Sequence, residues 1–252
     1  MVRQAAFDSR GSHIRWTETP GSEPARVYLH GLGSMSTAYH AHIAARPDLT
    51  GRRSLFVDLP GHGTSDRPQG FGYTLEEHAD AVAAALDAAG AAGAEMIGHS
   101  MGGAVAVVLA HRRPDLVSRL VLTEANLDAF PPATAGSSAI ASYEEDEFVE
   151  SGYARVLDAV GPLWAATMRL TDPRALHRSA VGLRRGSDPV MRTLLEESPV
   201  DRVFLQGAHT GELEGRDRLE SAGVRVVTVP GAGHNVMFDN PDAFAAAIAR
   251  TG

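Results

Sequence analysis

Apolar positions along the chain fall into two rhythms. Short runs rich in β-branched and aliphatic residues predict strands at 3–7, 13–17, 25–29, 54–57, 94–97, 117–123, 202–205 and 224–229. Between them lie alanine-rich stretches with a 3.6-residue period. Thr74 opens the clearest of these: Glu76 and Glu77 follow it, Leu75, Ala79, Val82 and Leu86 recur on one face, and Gly90 ends it. Residues Met101 to His111 are apolar nearly all round, as a helix buried on every side must be, and the run halts before Pro114. A last helix is expected over 241–250, with Asp239 or Asn240 as its cap. Strands alternating with helices in this way predict an α/β fold, a mostly parallel eight-stranded sheet flanked by helices.

One segment breaks the alternation. From 126 to 199 there is no strand pattern; a Pro-, Ala- and Ser-rich linker at 130–138 precedes amphipathic stretches at 153–160, 162–170 and 188–197. The expected organisation is a core of 1–125 and 200–252 with a helical lid, 126–199, inserted into it. The acidic run Glu144-Glu145-Asp146-Glu147 is expected to be a solvated helix start, favoured by the helix dipole.

Composition narrows the partners. A chain of 252 residues can bury one full core. Its 31 acidic and 23 basic side chains leave a net charge of -8 with no Lys/Arg cluster, so nucleic acid is not an expected partner. The first residues, Met1 to Asp8, carry no apolar run, and the longest apolar stretch, Ala104 to Ala110, is far too short to span a bilayer. A soluble, cytoplasmic protein without a membrane partner is the expectation. The absence of cysteine removes disulfides, thiolate metal sites and a thiol nucleophile together.

The chemistry centres on Gly98-His99-Ser100-Met101-Gly102-Gly103, a G-x-S-x-G between the predicted strand at 94–97 and the helix that starts at Met101. A strand that turns this sharply into a helix lifts the serine hydroxyl clear of the sheet. The glycines are required because the turn leaves no room for side chains on either side. A serine hydroxyl needs a base within hydrogen-bond reach, and the base needs a carboxylate to orient it. The strand at 224–229 runs through Pro230-Gly231-Ala232-Gly233 to His234, the candidate base. Donors for a developing oxyanion are expected from the N–H of Met101, at the positive end of its helix, and of Leu32, in the loop His30-Gly31-Leu32-Gly33.

Four motifs in order carry a resemblance to the α/β-hydrolase superfamily over essentially the full chain: His30 to Gly33, Asp58-Leu59-Pro60-Gly61-His62-Gly63-Thr64-Ser65, Gly98 to Gly103, and Gly233-His234 followed by Asn240-Pro241. The resemblance implies that the segment 58–65 is a structural turn. Most relatives carry an aspartate three residues after a glycine that ends the seventh strand; here Gly207 is followed by Ala208, His209 and Thr210. Haloalkane dehalogenases and zearalenone-type lactonases instead place the acid directly after strand six. Glu124 stands there, 24 residues past Ser100, and is the expected acid; Glu212, Glu214 and Asp128 compete with it.

These residues imply a serine hydrolase that cleaves a carboxylic ester or lactone of a hydrophobic small molecule through an acyl-enzyme on Ser100. No metal, nucleotide or organic cofactor is required. A thioesterase, a C–C bond hydrolase on the same triad, and a low-turnover ligand-binding or sensor protein remain as alternatives. The expected substrate pocket is apolar and roomy, lined by His30, Gly31, Trp164, Met168 and Met237 as well as Leu32, Met101 and Leu163.

Overall fold

The computed structural model describes residues 1–129 and 139–249, so the expected linker at 130–138 and the end of the last helix at Arg250 lie outside the described residues. Eight strands form one sheet: β1 (Val2–Ala6), β2 (His13–Thr19), β3 (Ser22–Leu29), β4 (Arg52–Asp58), β5 (Ala94–His99), β6 (Val117–Thr123), β7 (Asp201–Gly207) and β8 (Arg225–Val229). Their order is β1-β2-β4-β3-β5-β6-β7-β8. β2 runs antiparallel to both its neighbours, and every pairing from β4 to β8 is parallel.

A parallel sheet needs both faces covered, which is why its inner strands are continuously apolar rather than alternating. β5 is buried at all six positions. Successive side chains still point to opposite faces. Val27, Leu29, Met96, Leu120, Leu122 and Phe204 join a core shared with α2 (Leu75–Ala89) and α3 (Met101–Arg112). On the other face Tyr28, Ile97, Val121, Val203 and Leu205 meet α1 (Ser36–Ala44) and the C-terminal helices α10 (Val236–Asp239) and α11 (Pro241–Ala249).

Local signals explain the helix boundaries. Thr74 and Glu77 form a reciprocal capping box, and α2 stops at Gly90 with φ 62°. Asn240 caps α11 by accepting from the Ala243 N–H at 3.1 Å. Between β6 and β7 the described residues contain only helices: α4 (Glu145–Glu147), a π-helical turn (Phe148–Gly152), α5 (Tyr153–Ala159), α6 (Pro162–Met168), α7 (Pro173–Arg185) and α8 (Met191–Glu197). A short helix, α9 (Arg216–Ser221), joins β7 to β8.

Neither α1 nor α7 was expected from the sequence. α1 buries Ser36, Tyr39, His40 and Ile43, and half of that face is polar. The acidic run does begin a helix, but Glu145 is not merely solvated: it accepts from Arg178 Nε at 2.6 Å and pairs with Arg174. These guanidiniums, Arg178 first, hold its carboxyl down at about 2. Arg178 also donates to the carbonyl of Gln69 at 2.7 Å, which ties this helical segment to the loop before α2. Among the described residues no helix is long and apolar enough to cross a membrane.

Candidate active site

Ser100 occupies the single residue between β5 and α3, with φ 52° and ψ -122°. A non-glycine residue is held in such a conformation only when its surroundings dictate it. Here they do, sterically. A Cβ at Gly98 would lie 2.6 Å from Gly103 Cα, one at Gly102 would lie 2.5 Å from the carbonyl oxygens of Leu29 and His30, and one at Gly103 would lie 2.5 Å from Ala125 Cβ. The Ser100 N–H is fixed to the Thr123 carbonyl at 2.9 Å. Met101 opens α3, and the first N–H groups of a helix have no partner within it.

Glu124 directly follows β6 and also has a positive φ, 50°. Its N–H donates to Leu205 O at 2.9 Å. Its carboxylate Oε1 accepts from the Gly207 N–H at 2.6 Å and from Thr210 Oγ1 at 2.8 Å. The other oxygen, Oε2, faces His234 Nδ1 at 3.6 Å, an electrostatic contact longer than a hydrogen bond. Ser100 Oγ donates not to His234 but to Asn126 Oδ1, at a long 3.5 Å. Such contacts are commonly loose before substrate arrives. The other carboxylates considered for this position are engaged or exposed: Asp128 pairs with Arg192 at 2.6 Å, and Glu212 and Glu214 face solvent.

Ser100 and His234 border a cavity of about 290 Å³. Gly31, Leu32 and Trp164 form part of its wall, and Ser34, Tyr39, Asn126 and Asn235 bring neutral polar groups to the rest. His99 also reaches it. The cavity is therefore less roomy than expected, with polar groups set into a wall that is mainly apolar. Of the other residues expected to line it, His30, Met101, Met168 and Met237 do not: all four are fully buried. His30 braces the loop, donating from Nδ1 to Gly31 O at 2.7 Å and accepting from the Leu59 N–H at 2.9 Å. Burial alone lowers its pKa to about 4 and keeps the ring neutral. Met168 packs in the core beneath the loop, a Cβ at Gly33 lying 3.3 Å from its methyl group. Met237 belongs to the core on the opposite face, and its carbonyl accepts from His42 Nε2 at 2.9 Å. Leu163 points to solvent at 39% exposure.

The loop after β3 is held from above by α6. Trp164 Nε1 donates to Leu32 O at 2.7 Å, and Thr167 Oγ1 donates to Gly33 O at 3.0 Å. Gly33 has φ 66°, and the loop turns back through a Ser34 N–H bond to Gly31 O at 3.1 Å. The turn at 58–65 is built around buried Asp58, which accepts from the N–H groups of Ser36 and Thr64 at 3.0 Å each. Sequence reasoning missed Asn126, Tyr39, Ser34 and Asn235 as cavity residues. Asn126 carried a usable signal, since it stands two residues beyond Glu124 in the same loop at the sheet's carboxyl edge.

Comparison with known proteins bears on the fold and its family. A family model described as "alpha/beta hydrolase fold" matches residues 27–167. The sn-1-specific diacylglycerol lipase ABHD11 of Mus musculus is 37% identical over 120 residues, 48% of this chain and 37% of that protein. The esterase Rv0045c of Mycobacterium tuberculosis is 33% identical over 178 residues, 69% of this chain and 54% of that one. The chain thus spans about half or less of the length of these curated relatives. An esterase from Exiguobacterium antarcticum, EaEST, superposes with a TM-score of 0.82 over 98% of both chains at 20% identity, which shows a shared fold. The family match covers more than half the chain and includes the loop after β3 and the Ser100 turn, so this protein belongs to the alpha/beta hydrolase fold family.

Proposed function

We propose that the protein is a serine hydrolase that cleaves a compact, uncharged carboxylic ester or lactone through an acyl-enzyme on Ser100. The observation that carries this reading is that Ser100 and His234, from the loops after β5 and β8, share the wall of one cavity, with Glu124, from the loop after β6, behind His234 at 3.6 Å. In the proposed reaction His234 Nε2 takes the Ser100 proton as Oγ attacks the carbonyl carbon. The N–H groups of Met101 and Leu32 hold the resulting oxyanion. His234 then passes the proton to the departing alkoxide, and in the second half-reaction it deprotonates the water that frees the acid and regenerates Ser100. Glu124 orients the imidazole through Nδ1 and stabilises its cation.

Substrate size follows from the cavity. At about 290 Å³ it lies at the lower limit of ordinary ligand pockets, which favours short acyl chains or small lactones. Among the described residues no Lys or Arg stands in its wall to neutralise a substrate carboxylate. In this reading the helices between β6 and β7, with the rest of 126–199, act as a lid over a core of 1–125 and 200–252. The kinship with an esterase at 33% identity supports ester chemistry, and a 2-hydroxymuconate semialdehyde hydrolase at 35% identity over 46% of the chain keeps the C–C bond hydrolase as the second reading.

The test is hydrolysis of p-nitrophenyl esters of graded acyl length and of several lactones by wild type and Ser100→Ala. Wild type should prefer the shortest acyl chains, and Ser100→Ala should lower kcat by about 10⁶-fold. An alanine variant as active as wild type would remove Ser100 from the chemistry. Stoichiometric binding of the same compounds without turnover would favour a ligand-binding protein.

A further inference from the structure

We infer that His99, the residue before the proposed nucleophile, is a positioning residue that ties the loop carrying the base to the strand carrying the serine. The inference rests on the serine hydrolase reading above and extends it to a side chain outside the proposed triad.

The alternation of β5 sends His99 to the same face of the sheet as Ile97, toward α1 and α10. There it is 3% exposed, with its ring stacked on Tyr39 at 5.9 Å between centroids. Its Nε2 lies 2.9 Å from the backbone carbonyl of His234. A carbonyl oxygen only accepts, so Nε2 carries the proton and donates. The two imidazoles lie 4.8 Å apart at 56°. On its other side the ring meets the loop after β3: a Cβ at Gly31 would be 3.1 Å from His99 Nδ1 and 3.2 Å from Ser100 Cβ. One side chain therefore touches the loop bearing Leu32, adjoins Ser100 along the chain, and grips the main chain of His234.

The Gly233 N–H bond to Asp239 Oδ2 at 2.9 Å and the Phe238 N–H bond to Asn235 O at 2.8 Å help fix the turn, but the imidazole of His234 itself is loosely held. Its side chain is 53% exposed, and its contact with Glu124 is 3.6 Å, beyond hydrogen-bond range. The residue's carbonyl, in contrast, is clamped to a buried group on the most deeply buried strand of the sheet. The clamp sets where the imidazole begins and leaves the ring free to swing between Glu124 and Ser100. Burial, and secondarily the neighbouring His234, lower the pKa of His99 well below the ordinary histidine value. The ring thus stays neutral beside the imidazolium that the reaction generates.

The experiment compares wild type, His99→Phe and His99→Gln. Phenylalanine keeps the ring against Tyr39 and loses the donor; glutamine restores an N–H donor of similar reach. Kinetics with a short-chain p-nitrophenyl ester, thermal melting, and NMR titration of the His234 imidazole are read on each. His99→Phe should lose kcat by about 10²-fold, the scale of an ångström's misplacement of a catalytic group, with KM little changed. His99→Gln should recover most of that loss, and the His234 titration should move in the phenylalanine variant and return in the glutamine one. If His99→Phe does not fold, His99→Met replaces it as the variant without a donor.

Unchanged kcat and unchanged His234 titration in the variant without a donor would overturn the inference. So would parallel losses of kcat and melting temperature in both variants with the titration unmoved, the signature of packing alone. Wild type that turns over no ester while the His234 titration still shifts in His99→Phe would overturn the esterase reading and uphold the positioning role.

Discussion

Two neighbouring strands, β5 and β6, end in the same unusual backbone, and the two ends are held there by different means. Ser100 has φ 52° and Glu124 has φ 50°. At Ser100 the constraint is steric: the glycines at 98, 102 and 103 let main chain from β3, β5 and α3 approach until no Cβ would fit. At Glu124 the flanking residues are Thr123 and Ala125, and hydrogen bonds do the holding, from its own N–H to Leu205 and from Gly207 and Thr210 to its carboxylate. A steric constraint fixes position with few alternatives, whereas a hydrogen-bonded one can be retuned by changing a single donor. The turn at Ser100 is the rigid member of the pair and the loop at Glu124 the adjustable one.

The largest effect that tests this contrast is expected from Glu124→Gln. Glutamine can still accept from the Gly207 N–H, so the loop should keep its shape and the melting temperature should hold, while kcat falls by about 10⁴-fold through loss of the charge behind His234. A melting temperature that collapsed with the rate would mean that the carboxylate serves the fold and not the base. Next comes Gly102→Ala, which drives a methyl group into the carbonyls of Leu29 and His30. Overpacking against main chain should cost about 3 kcal/mol, measured by urea denaturation. A cost below about 1 kcal/mol, within the range of tolerated core swaps, would show that the turn yields and that its rigidity is overstated here. The smallest effect is expected from Thr210→Val, which removes one of two hydrogen bonds to Oε1. A loss of about 1 kcal/mol of orientation corresponds to a several-fold drop in kcat with unchanged melting. No drop at all would leave Gly207 as the sole support that matters.

The same contrast accounts for what could be read from the chain. Steric constraints leave glycines behind, so the turn at Ser100 and the Gly-rich approach to His234 stood out, and so did the alternation that builds the parallel sheet. Glu124 could be singled out only because Thr210 occupies the position where most relatives carry the acid. That Thr210 would donate to Glu124 was not legible, because a hydrogen bond across 86 positions leaves no local mark. α7 carried a start signal in Asp172-Pro173, and Asp172 does cap it by accepting from the Ala175 N–H at 2.9 Å. Its apolar period, Leu176, Ala180 and Leu183 on one face with the arginines largely opposite, was also present in the chain, so this helix was legible and went unread. Tyr39 and Ser34 were missed as cavity residues because they reach it from α1 and the loop before it, where buried polar groups hid the pattern.

The bond from Trp164 to the Leu32 carbonyl has an evolutionary consequence. If the Leu32 loop holds the oxyanion as proposed, a tryptophan that both walls the cavity and fastens that loop cannot be exchanged for a smaller residue without changing substrate range and rate together. On that reading, lineages that broadened this entrance would pass through slower forms until a new donor refastened Leu32. The solvent-facing Leu163 next to it is free to drift, so variation in α6 should concentrate there, with Trp164 as the residue around which specificity diversifies only in steps of two.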